Sequence, residues 1–75
     1  MKLTQREFDI LEKIDFSDIQ KDVKLDRKKL TFEYDNPYTS IYFNYYIVAE
    51  GLDDDYDVTD YGIELYQLYD KIFLS

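Results

Sequence analysis

Between Glu50 and Glu64 the sequence EGLDDDYDVTDYGIE places seven carboxylates in 15 residues, with no Lys or Arg to offset them. Charges at that density cannot leave water without partners, so the stretch has to lie on the surface. The core must then come from the segments on either side, which act as a scaffold for the acidic one. A chain of 75 residues is read as one domain, and a domain of that size buries only about 60 % of the surface its unfolded chain exposes. Nine Tyr and five Phe answer part of the shortage, since each aromatic removes roughly 150 to 250 Å² from water when buried.

Cysteine is absent, so disulfides and thiolate metal sites are excluded and a reducing compartment, the cytoplasm, is expected. No apolar run reaches the roughly 18 residues of a membrane helix, and MKLTQREFDI carries charge where an export signal needs apolar residues. The net charge of −8 is uneven: residues 1–35 hold nine acids against eight bases, residues 36–75 eight acids against one base. That asymmetry disfavours direct nucleic-acid binding, which needs Lys and Arg along a surface, and favours a basic protein as partner.

Thr4 followed by Glu7 is a capping box, with Leu3 and Phe8 as the hydrophobic staple, so a helix starts here. Phe8, Ile10, Leu11 and Ile14 form its core stripe. Ser17 and Gln20 fit a second capping box, but the alternation of Ile19, Val23 and Leu25 predicts a strand from about Gln20 to Leu25. DRKK at 26–29 is the turn, and Leu30, Phe32 and Tyr34 alternate on the returning strand. Lys21, Lys24, Arg27, Lys28 and Lys29 gather around this tip, diluted by Asp22 and Asp26 into a solvated surface. Asp35, Asn36 and Pro37 end the strand. SIYFNYYIVAE, Ser40 to Glu50, then reads as a third strand: Ile41, Phe43, Tyr45, Ile47 and Ala49 on one face, Tyr42, Asn44, Tyr46 and Val48 on the other. Either both faces are covered, or Tyr42 and Tyr46 form a sticky patch that meets a partner or a second copy. A last helix runs from Thr59 or Asp60 to Phe73, with Gly62 an awkward residue near its start. The expected fold is a small α+β domain, α-β-β-β-α, with a three-stranded antiparallel sheet packed by two helices.

Histidine and cysteine are both missing, which removes the usual general base, the thiol nucleophile and the common transition-metal ligands. Catalysis and cofactors are therefore not expected. Asp53, Asp55, Asp57 and Glu64 do occupy positions 1, 3, 5 and 12 of a calcium loop. Position 6, where such a loop turns on Gly, is Val58. What remains is an anionic surface of Glu50, Asp53, Asp54, Asp55, Asp57, Asp60 and Glu64, with Tyr56 and Tyr61 interleaved, able to enter a basic groove as the backbone and bases of DNA do.

Small size, acidity and the helix, three strands, helix order resemble the small phage-encoded inhibitors of CRISPR nucleases and restriction enzymes, several of which are DNA mimics. The resemblance implies a phage or mobile-element protein acting in the cytoplasm of its host. The double-stranded RNA-binding domain shares that element order, but its function needs Lys in the segments after the sheet, where only Lys71 stands. The competing expectation is an interaction module using Tyr42 and Tyr46, with the acids serving solubility alone.

Overall fold

The computed structural model describes residues 1–74. Thr4 caps the first helix, α1 (Gln5–Lys13): its hydroxyl accepts from Glu7 N while the Glu7 carboxylate accepts from Thr4 N at 2.8 Å. The expected stripe faces inward, with Phe8, Ile10, Leu11 and Ile14 all buried. The chain then makes a 3-10 turn over Ser17–Asp22. Phe16 gives that turn no side-chain cap; the Asp15 carboxylate accepts from Ser17 N instead. The first strand is accordingly shorter than expected, because Gln20 to Asp22 belong to the turn.

Strands β1 (Val23–Asp26) and β2 (Thr31–Tyr34) form the antiparallel hairpin, with Leu25 opposite Phe32 and Val23 opposite Tyr34. The Asp26 carboxylate accepts from Lys28 N and Lys29 N, and Leu30 turns back with a φ of 53°. The sheet has two strands, not three. The place beside β2 is taken by the N-terminal residues: Leu3 N donates to Leu30 O, Phe32 N to Met1 O, and Lys2 bridges Thr31.

The segment read as a third strand is a helix, α2 (Thr39–Glu50). Its buried residues, Thr39, Phe43 and Ile47, recur every four positions, which is one face of a helix and no face of a strand. Asn36 starts it: its carbonyl accepts from Thr39 N, its side chain accepts from Tyr38 N, and its amide donates to Asp22. Thr39 is buried, with its hydroxyl donating to Asn36 O at 2.6 Å. Helix α3 (Asp60–Tyr69) follows and passes into a π turn, Asp70–Leu74. The architecture is α+β with the order α-β-β-α-α.

A chain of rings holds the two halves together. Phe16 meets Phe32, Phe32 meets Tyr34, Tyr34 meets Phe73, and Phe73 meets both Phe43 and Tyr69 at centroid distances of 4.9 to 6.2 Å. Pairs of this kind contribute about 0.5 to 1.5 kcal/mol each beyond their area. Phe43 near the start of α2 touches Tyr69 at the end of α3 and Phe73 in the π turn beyond it, while Gly51 at the end of α2 lies against Gly62 at the start of α3, so the helices are antiparallel. A Cβ on Gly62 would stand 2.1 Å from Gly51 O. Gly62 is thus in the helix for close approach, which outweighs its poor propensity.

Candidate functional site

The acidic stretch lies between α2 and α3 and is built as a closed loop. Leu52 and Val58 bridge its base. Inside, Asp53 N donates to Asp57 O at 2.9 Å, Tyr56 N to Asp53 O at 3.0 Å, and the Asp53 carboxylate accepts from Asp55 N and Asp57 N. Tyr56 takes the reversing position with a φ of 64°, an unusual backbone for a residue with a Cβ. The residue is 79 % exposed. Thr59 pins the loop to α3: N and Oγ1 both donate to Gly51 O, and Oγ1 accepts from Gly62 N at 3.0 Å.

Glu50, Asp53, Asp54, Asp55, Tyr56, Asp57 and Asp60 are all exposed, as expected of a presenting surface. Asp60 sits in the first turn of α3, where a negative charge meets the positive end of the helix dipole. None of these carboxylates takes part in an ion pair among the described residues.

Glu64 and Tyr61 depart from the expected surface. Arg6 of α1 holds Glu64 with Nε at 2.9 Å and a terminal nitrogen at 2.8 Å. That hydrogen bond keeps the Glu64 carboxyl below its ordinary range; burial opposes it more weakly, and the charge of Arg6 adds a smaller lowering effect. Tyr61 is half-buried, its hydroxyl 2.9 Å from that of Tyr46 and its ring 5.8 Å from the Arg6 guanidinium. Both residues join elements of the scaffold.

The carboxylates of Asp53, Asp55 and Asp57 come within 4.8 Å of one another, but the calcium pattern is not assembled. Glu64 is engaged by Arg6, the reversal falls on Tyr56 at position 4 instead of Val58 at position 6, and one Asp53 oxygen already accepts two backbone donors. Calcium takes six to eight oxygens.

Tyr42 and Tyr46 are likewise not an open patch. Both are half-buried, and burial together with the Tyr61 hydroxyl raises the Tyr46 phenol well above its ordinary value of 10.0. The exposed apolar residues of this segment are Tyr38, Ile41, Tyr45 and Val48. Their helical spacing was the signal that a strand reading hides. On the hairpin, Arg27 pairs with Glu12 and lies 5.3 Å over the Phe8 ring, so this cation braces α1. Lys24, Lys28 and Lys29 remain exposed.

No protein-family model matches the chain, and neither a curated protein nor a solved structure matches it. No helix among the described residues is long and apolar enough to cross a membrane. With α2 helical, the element order behind the two resemblances is not the observed one, and the likeness to phage-encoded inhibitors rests on size and acidity.

Proposed function

We propose that this chain is a small, non-catalytic binding protein that sets its acidic loop into a basic groove of a nucleic-acid-processing enzyme, of the restriction or CRISPR kind, where DNA would otherwise lie. One observation carries the reading: Asp54, Asp55 and Asp57 stand exposed on a loop whose backbone is fixed by its own hydrogen bonds and its anchor to α3. A preordered surface loses little freedom on docking. Its charge, which no ion pair among the described residues neutralises, steers it toward a cationic surface. Tyr56 supplies an exposed ring beside the carboxylates, where a base would stand beside phosphates, and Glu50 and Asp60 extend the anionic surface past the loop. On this reading the protein acts in the cytoplasm of a bacterial host and derives from a phage or mobile element.

The test is DNA cleavage by restriction and RNA-guided nucleases with the chain titrated in. Inhibition is expected to be competitive with DNA and to weaken with salt. The variant Asp54→Asn/Asp55→Asn/Asp57→Asn should be weaker by about tenfold or more. It leaves Asp53, which holds the loop, in place. Inhibition that ignores DNA concentration, salt and the variant alike would contradict the mechanism.

A further inference from the structure

Helix α2 carries large apolar side chains on its outer side as well as on the side that the fold covers. Opposite buried Phe43 and Ile47, Tyr38, Ile41, Tyr45 and Val48 are 61 %, 43 %, 64 % and 49 % exposed. They follow one another at steps of three, four and three residues, which makes one continuous stripe along the outer side of the helix. No residue from Thr39 to Ala49 is charged. A contiguous exposed apolar stripe of this kind marks an interaction surface.

We infer that the stripe is a homodimer interface, in which α2 packs antiparallel on α2 of a second copy about a twofold axis level with Phe43. The stripe is self-complementary about that axis. Tyr38 falls opposite Val48 of the second copy and Tyr45 opposite its Ile41, so each ring meets a branched aliphatic side chain, and each contact occurs twice.

Charge selects the direction. The chain carries a net −8, and parallel packing would set two acidic loops side by side at the roughly 8 to 10 Å of helix packing, about one Debye length at physiological salt. Antiparallel packing sends them to opposite ends. Asp53 is ten residues from the axis, so at about 1.5 Å per residue the two loops stand about 30 Å apart. The contact itself involves only uncharged side chains.

The area lies at the lower end of what a specific dimer needs. The exposed parts of the two tyrosines, with Ile41 and Val48, amount to about 400 Å² per copy, a patch of the size that marks a binding surface. Two copies bury about 800 Å² through the stripe, and flanking Tyr42, Asn44 and Ala49 bring the total toward the roughly 1,200 Å² at which specific interfaces begin. The dimer is independent of the loop's proposed target, since the two surfaces are separate.

Sedimentation of the full chain over a roughly 500-fold range of concentration should show the mass rising from 9.1 kDa to twice that value, with the transition set by mass action. Tyr45→Glu should raise the dissociation constant by at least about tenfold. Its circular dichroism and melting at low concentration should not change, because the side chain is exposed. Asp54→Asn/Asp55→Asn/Asp57→Asn should dimerise as well as the wild type or better, so failure of the loop reading leaves the dimer standing and the reverse.

The chain has no cysteine, which allows the direction to be read by crosslinking. Tyr38→Cys and Val48→Cys, mixed in equal amounts and oxidised, should form a disulfide between unlike variants only. Like positions stand about 15 Å apart along the axis, beyond the roughly 7 Å a disulfide spans. Like-with-like disulfides would overturn the antiparallel arrangement. A chain that stays at 9.1 kDa at every concentration would overturn the dimer and assign the stripe to an unlike partner.

Discussion

Gly62 shows how one residue can position a functional loop. It has no positive φ, so any residue could adopt its backbone, and in an open helix Ala would be better by about 1 kcal/mol. Space reverses that preference, because the added Cβ would meet Gly51 O at 2.1 Å. Gly62→Ala should therefore destabilise the fold by about 3 kcal/mol, as overpacking against backbone does, read as a lower urea midpoint. Tyr46 makes a second residue-scale case. Burial first, then the Tyr61 hydroxyl, favours its neutral phenol in the fold, so the folded value lies above the ordinary 10.0. The stabilisation is complete below pH 10 and is lost as pH rises through the folded value. Tyr46→Phe should raise the alkaline unfolding midpoint while costing about 1 kcal/mol at neutral pH for the lost hydrogen bond.

Two ion pairs fasten α1 to the last helical segment. Arg6 reaches Glu64, and Lys71 Nζ lies 2.8 Å from Glu7. Burial opposes the charge of Glu7, but hydrogen bonds from Lys71 and Thr4 outweigh it and hold its carboxyl low; Arg6 does the same for Glu64. Depressed carboxyls stabilise the fold above their ordinary value of 4.5 and cease to do so as pH falls through the folded values. The melting temperature should therefore drop as pH falls below 4.5, and Glu7→Gln/Glu64→Gln should flatten that dependence. Elements with an unopposed local signal are legible in the sequence. The Thr4 capping box, the hairpin and the Thr59 start of α3 were all legible. At α2 the signals conflicted: β-branched and aromatic residues on both faces imitate a covered strand, and Asn36-Pro37, which starts the helix, was read only as the end of β2. Propensity lost there to tertiary packing, through the burial of Phe43 and Ile47 against α3 and the ring chain. A strand sets Tyr42 and Tyr46 together on an outer face, whereas the helix half-buries both and exposes Tyr38, Ile41, Tyr45 and Val48.

At the scale of the whole molecule, helix α2 links the acidic loop to an uncharged exposed stripe. The acidic loop closes one end of α2, and the uncharged stripe runs along it. Exposure of the loop was legible because seven carboxylates have no other place to go; the capture of Glu64 by Arg6, across 58 positions of sequence, was not, since nothing local announces it. With Glu64 engaged, the loop is expected to respond to cations as a diffuse charge: millimolar calcium and magnesium should shift the melting temperature equally, whereas a calcium-specific rise would reveal a true site. The most direct test of the loop's role is affinity capture from a bacterial lysate at about 0.05 and 0.5 M salt, comparing the wild type with Asp54→Asn/Asp55→Asn/Asp57→Asn. A nucleic-acid enzyme retained by the wild type at low salt, and lost both at high salt and with the variant, is the predicted result. Equal capture by both proteins at both salt concentrations would contradict it.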